Sequence, residues 1–271
     1  MAQTPIDIKR LASLLDDPDE SVAITAMAEL LNREPELGDL PAELQESSNP
    51  LMRRRAHQLQ SALTMIRRRR YLAALLRSNE INFLEGLIQI HLQWYDNDSE
   101  AGLHKKIKNF CQELSCHPGS SLEEIADAFA GCGVIPAPVT TLKVEQYCLG
   151  VMLDEKCGAS ALWCGMICAL YKELHLSTIR YQGRFAVKSG EFIMIPENNW
   201  QLSPLPPPEE TETWELNNLL QLAVMTLFSA AVNSDSFRYI LTLSQTFTGM
   251  ESADPLGSLP YPYNPEMDPL S

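Results

Sequence analysis

The sequence predicts a mainly α protein, α+β in detail, and three observations carry that expectation. Most of the chain repeats apolar residues at i, i+3, i+4 and i+7, the spacing of one buried helix face. One central stretch switches to the alternation expected of strands around a Gly-containing turn. Two Pro-rich segments, residues 204–213 and 249–271, carry no helical period.

The helices begin at the N-terminus. Residues 7–32 predict a helix, an acidic turn at residues 16–19 and a second helix, lined by Leu11, Leu14 and Leu15 and then by Val22, Ala26, Leu30 and Leu31. A similar unit follows at residues 37–63, with Asn49-Pro50 opening its second helix. Two such pairs about 30 residues apart suggest a helical-repeat N-terminal region over residues 5–77. LLDDPDESVAITAMAELL and SSNPLMRRRAHQLQSAL resemble HEAT-type repeats, although an ordinary helical bundle fits the same pattern.

The second helix of that unit is expected to continue through Arg77. Met52, Ala56, Leu59, Leu63 and Ile66 mark its apolar face, leaving Arg53, Arg54, Arg55, Arg67, Arg68, Arg69 and Arg70 mostly elsewhere. Charge is distributed unevenly along the chain. Residues 1–46 hold 11 acids against 3 bases, whereas residues 47–77 hold 8 arginines and no acid. The net charge of −14 argues against general nucleic-acid binding, which needs concentrated cations. Only the arginine band keeps anion or nucleic-acid binding open. Without interleaved aromatics for base stacking, a solvated or intramolecular role fits it better.

Residues 79–115 form a further helical pair, striped by Phe83, Leu84, Leu87, Ile88 and Leu92 and by Leu103, Ile107, Phe110, Cys111 and Leu114. Cys116-His117-Pro118-Gly119 breaks the pattern, and Ser120 or Ser121 can cap the next helix. GCGVIPAP, residues 131–138, reads as a loop, and a helix from about Leu142 to Leu153 follows. In KCGASALWCGMICALYKELHLSTIRYQGRFAVKSGEFIMIP, residues 156–196, Leu162, Gly165, Met166, Ala169, Leu170 and Leu174 mark a helix. Ile179, Tyr181, Phe185 and Val187 then mark one strand. Phe192 and Met194 mark a second, joined to the first at Ser189-Gly190. Residues 214–248 close the sequence with a helical hairpin ending at Gly249, before the Pro-rich tail.

Several chemistries are excluded on residue grounds. Seven cysteines, at 111, 116, 132, 148, 157, 164 and 168, are odd in number and sit mostly in helical patterns, which reads as buried thiols. Cys164 and Cys168 share a face, but buried cysteine usually acts as a small hydrophobe. Cys111, Cys116 and His117 lack a second cluster at zinc spacing. No cofactor or metal is expected. No apolar run approaches the ~20 residues that span a bilayer, and the acidic N-terminus is unlike a signal peptide. A cytoplasmic protein with no membrane association is expected.

Residues 79–203 resemble the transglutaminase-like domain of bacterial SirB-type proteins. The resemblance rests on NFLEGLIQIHLQWYDND, LDEKCG, the helix ending KELHL, the strand containing Gly183-Arg184-Phe185, and the loop PENNWQLSP. It implies a transglutaminase-like fold with a small antiparallel hairpin or sheet. Catalytic members of that superfamily use a Cys-His-Asp arrangement, in which the thiolate attacks an acyl carbon and the oriented imidazole keeps it deprotonated. The matching positions here read Ser160, Arg184 and Ile195. A guanidinium cannot accept a proton, and Ile195 cannot ionise. Cys157 is a fallback thiol, but His175 is expected about five turns along the same helix, roughly 27 Å away. A pseudoenzyme that binds or scaffolds an unidentified protein partner is therefore expected. A cysteine or serine acyl transferase or hydrolase is the alternative, and anion binding through the arginine band the third.

Overall fold

The computed structural model describes residues 7–78, 82–115, 121–138, 143–234 and 236–248. The expected cap at Ser120, the Cys116-His117-Pro118-Gly119 break, the helix start at Leu142, the stop at Gly249 and the tail all lie outside those residues. The expected mainly α, α+β architecture is present, and the chain divides into two compact units, residues 1–68 and 69–271. That division falls inside a helix, not at a linker after Arg77.

The first unit holds α1 (Ile8–Ser13), α2 (Glu20–Asn32), α3 (Leu40–Gln45) and the first part of α4 (Pro50–Arg77). Asp7 caps α1 by accepting the Lys9 N–H, and Asp19 caps α2 by accepting that of Ser21. Asn49 accepts the Leu51 N–H where Pro50 opens α4, as the sequence predicts. Leu11, Leu15, Ala26, Leu30, Met52, Leu59 and Leu63 pack together as its core. In α2 the buried residues are Ala23, Ala26 and Leu30, so the face is turned one residue from the expected Val22.

The second unit is built around α9 (Ser160–Leu170), in which every residue from Ser160 to Ala169 is buried. The sequence pattern suggests a one-sided helix, but this one is covered all round. At Gly165 the neighbouring elements come so close that a Cβ would lie 2.3 Å from the Phe83 ring and 2.9 Å from Leu219. Those residues belong to α5 (Phe83–Trp94) and α10 (Leu216–Asn233). Phe110 and Phe129, from α6 (Glu100–Ser115) and α7 (Leu122–Gly131), pack on Trp163. Ser121 caps α7 by accepting the Glu124 N–H. The C-terminal pair α10 and α11 (Phe237–Thr248) shares this core through Leu219, Leu220, Leu227 and Leu243, so it is not a separate module. Among the described residues, α10 is the helix long and apolar enough to cross a membrane, and Leu219, Leu220, Ala223, Val224, Leu227, Phe228 and Ala231 within it are buried in the core.

The β structure is richer than the sequence predicts. β1 (Ile135–Pro136) pairs parallel with β2 (Cys157–Gly158), inside the segment expected to be only loop. The expected helix from Leu142 is instead a 3₁₀ turn, Val144–Tyr147, followed by the short α8 (Leu149–Glu155). Five strands, not two, form an antiparallel sheet in the order β6-β5-β4-β3-β7. They are β3 (Ser177–Tyr181), β4 (Arg184–Ser189), β5 (Phe192–Met194), β6 (Leu202–Pro204) and β7 (Thr211–Trp214). The strand expected to run from Ile179 to Val187 breaks at Gln182-Gly183. Both residues have positive φ, at 49° and 78°, which fits a two-residue turn that follows strand twist. The Pro-rich connector contributes β7, which pairs with β3.

One face of the sheet, through Val187 and Met194, joins the main core. The other carries a separate apolar cluster of Ile179, Ala186, Ile193 and Ile195, with Tyr181 and Leu205 packed on it.

Candidate functional site

The N-terminus of α9 is where the sequence places a nucleophile. Ala159 is the N-cap residue and makes no side-chain cap, so Ser160 opens the helix. The approach is fixed by backbone bonds: Ile135 N–H to the Lys156 carbonyl, Ala137 N–H to that of Gly158, and Ala159 N–H to that of Gln146. Trp200 is buried against Phe129 and donates its indole N–H to the Val134 carbonyl at 2.8 Å. It thereby pins the loop that follows β5, and that loop carries Glu197.

Glu197 fills the position in front of Ser160. The Ser160 hydroxyl donates to Glu197 Oε1 at 2.5 Å, and the serine is only 7% exposed. A carboxylate beside a helix N-terminus also meets the positive end of the helix dipole. The second oxygen, Glu197 Oε2, is buried without a hydrogen-bond partner. One turn along α9, burial pushes the Cys164 thiol well above its ordinary range, and Cys168 and Glu197 add to that shift.

Among the described residues, the three positions aligned with a Cys-His-Asp arrangement make no hydrogen bond with one another, although Ser160 and Arg184 bond to the adjacent Glu197 and Asn198. Phe185 stacks edge-on against Trp214 and packs on the main core, so Arg184 points the other way along the pleat. Arg184 is exposed and donates to Asn198 Oδ1 at 3.1 Å. Ile195 belongs to the separate apolar cluster on the sheet. An acidic partner for Arg184 is the natural expectation. Of the candidates Asp154, Glu155 and Glu197, none pairs with Arg184: Asp154 pairs with Lys106, and Glu197 accepts the Ser160 hydroxyl.

The thiols fare similarly. Cys157 is half-buried, and its sulfur receives the Gln146 amide at 3.5 Å. α9 stops at Leu170, and His175 sits exposed in a left-handed turn after the 3₁₀ segment Lys172–Leu174. The expected five-turn helix is therefore shorter, but His175 still lies beyond the far end of an 11-residue helix, about 16 Å long. Cys168 lies 3.4 Å from Thr178 Oγ1, and burial pushes its thiol up. Burial also pushes Cys148 up, to about 12, with Glu145 adding to the shift. None of these buried thiols suits nucleophilic or ligand chemistry, which needs the thiolate.

The arginine band is largely occupied. Arg55 is buried and donates to the Leu15 and Asp17 carbonyls at 2.8 and 2.6 Å, closing the end of the 3₁₀ turn after α1. Arg53 donates to the Ser47 and Ser48 carbonyls, and Arg67 pairs with Glu34 at 2.8 Å. Arg69 donates to Gln245 and Thr242. Arg54 is exposed. Arg68 and Arg70 also have interaction partners.

Two polar clusters escape sequence reasoning. His91, 1% exposed, holds Asp98 Oδ2 at 2.8 Å through Nε2 and accepts the Gly150 N–H on Nδ1 at 3.2 Å. Those two bonds assign the neutral tautomer with the proton on Nε2. The second cluster brings together Glu85, Glu100 and His104. The Glu100/His104 spacing of i, i+4 was a visible signal for it, but the contribution of Glu85 from another helix was not. Comparisons with models of protein families, with curated proteins and with solved structures found no match to this chain.

Proposed function

We propose that the chain is a non-catalytic protein of the SirB-type transglutaminase-like class, acting by binding or scaffolding another protein in the bacterial cytoplasm. One observation carries the non-catalytic reading: Ser160, in the nucleophile position, is buried and its hydroxyl is donated to Glu197. A serine in that state is closed to an acyl substrate. No described imidazole is within hydrogen-bond reach of Ser160 or Cys157 to replace the missing base. The interaction reading is supported by the helices of the first unit, expected as the pairs α1/α2 and α3/α4, since helical repeats commonly offer faces to protein partners. The HEAT-like assignment of those pairs belongs to the same proposal. The packing of α10 into the core supports the expectation of no membrane association.

The enzyme alternative retains one favourable observation, the half-buried Cys157 thiol beside the Gln146 amide. The arginine-band alternative is weakened, because Arg53 and Arg55 are committed to backbone carbonyls. The purified full-length protein is to be assayed for amine incorporation into a glutamine donor and for ester and peptide hydrolysis. No turnover above that of Cys157→Ala and Ser160→Ala variants is expected. Turnover abolished by either substitution overturns the reading in favour of an acyl-transfer enzyme.

A further inference from the structure

The Glu85, Glu100 and His104 cluster has the form of a ligand set. Glu100 and His104 lie one turn apart on α6, so both side chains leave the same face. Glu85 comes from the first turn of α5, where the Asn82 side chain caps the helix by accepting the Glu85 N–H. His104 Nε2 is 3.7 Å from Glu85 Oε2 and 3.8 Å from Glu100 Oε1, and one donor atom from each of the three lies within 4.8 Å of the others. Those distances are too long for N–H···O hydrogen bonds. They are close to the separation of about 3.3–3.5 Å between two ligands of one tetrahedral zinc-sized cation. For each His104–glutamate pair, a contraction of a few tenths of an ångström would reach that separation.

A second observation separates this cluster from acids that merely face water. A first-turn glutamate serving only the helix dipole can stay solvated, but the Glu85 side chain is 11% exposed. Its other oxygen, Oε1, accepts the amide of Gln89 at 2.9 Å, and Gln89 is 1% exposed. Among the described residues, Glu85 meets no Lys or Arg. A desolvated carboxylate needs compensating positive charge, and the basic side chain beside it is the His104 imidazole, which can also serve as a metal ligand. Buried residues that orient a ligating carboxylate in this way are typical of the outer shell of metal sites.

We propose that Glu85, Glu100 and His104 bind one divalent transition-metal cation of the zinc type, with the remaining coordination positions open to water. One imidazole with two carboxylates suits zinc and its borderline neighbours better than the all-oxygen shells of calcium or magnesium. Three protein ligands match the number found where a water or another small ligand completes the shell. The bound cation would tie α5 to α6.

The test uses full-length protein stripped with a chelator and titrated with zinc chloride by calorimetry. One equivalent is expected to bind. Glu85→Gln and His104→Ala should each weaken that binding at least about tenfold, whereas Lys105→Ala should not. His104 is 54% exposed on its side chain, so its loss should leave the fold intact, and circular dichroism checks this. Cobalt, substituted for zinc, should give visible bands of nitrogen and oxygen ligation without thiolate charge transfer, and zinc should shift the His104 Nε2 resonance. No binding at millimolar zinc overturns the proposal. So does binding unchanged in both variants, or a thiolate signature, which would place the metal on cysteines.

Discussion

Two glutamates at the starts of helices have opposite fates in this protein. Glu197 meets the first residue of α9 and closes the position, taking the Ser160 hydroxyl at 2.5 Å under the anchored Trp200 loop. Glu85 lies in the first turn of α5 and faces an exposed imidazole and a second carboxylate at distances that satisfy none of them fully. The Ser160 hydroxyl, satisfied by Glu197 Oε1, is withdrawn from chemistry, although the second Glu197 oxygen stays buried without a partner. Groups held near one another but short of bonding remain available to a ligand. Under the metal-binding proposal, the ligand site lies away from Ser160, the position that the resemblance selects.

Three experiments test that contrast, beginning with the largest effect. Trp200→Ala removes a buried indole, its packing on Phe129 and its bond to Val134, and should destabilise the protein by about 3–5 kcal/mol. Urea unfolding measures this, and a loss under about 1 kcal/mol would show that the loop carrying Glu197 is not anchored as described. Next, Glu197→Ala leaves the buried Ser160 hydroxyl without its acceptor, at a cost of about 1–3 kcal/mol. The double variant with Ser160→Ala should cost less than the two single losses combined. Strict additivity would mean that the two side chains are not coupled, and the closed-site account would fail.

The smallest effect concerns the other histidine beside a carboxylate. Burial holds His91 below its ordinary value of 6.5, against the raising effect of Asp98. The folded state therefore favours neutral imidazole. Its contribution to stability should be complete above about pH 6.5 and should fall away as pH drops through the folded-state value. Protonation would also set an Nδ1–H against the Gly150 N–H, which now donates to that nitrogen. A His91→Gln variant should lose this part of the acid sensitivity in thermal melts between pH 7.5 and 5. An unchanged slope would show that His91 is not the titrating group.

Much of the helical architecture was legible because long periodic stretches and caps such as Asn49-Pro50 and Ser121 are local signals. α9 was legible as a helix but not as a fully buried one, since a helix apolar on all sides gives little periodic contrast. The sheet was under-read for a different reason. Gln182-Gly183 contains a glutamine where turn statistics favour Asn or Asp, so two strands looked like one. β7 lay hidden because TETW is short and its partner, β3, is some thirty residues earlier. At the site, Ser160 could be singled out by resemblance, but its link to Glu197 spans 37 residues and leaves no local trace. Arg55 looked like one more surface arginine until a folded turn supplied two carbonyls for it.

The strand order has a consequence for how the chain is made. β3, β4, β5 and β6 form a meander of near neighbours that can pair as soon as they leave the ribosome. β7 belongs on the opposite edge, so residues 205–210 must first carry the chain back across roughly four strand spacings, about 19 Å. Until they do, Leu205 has not settled on Ile179, Ala186, Ile193 and Ile195, and the β3 edge offers unpaired backbone to any passing strand. The interval between synthesis of Pro204 and of Trp214 is thus a period of exposure to aggregation. The prolines of the connector shorten it by restricting the conformations the returning chain must search.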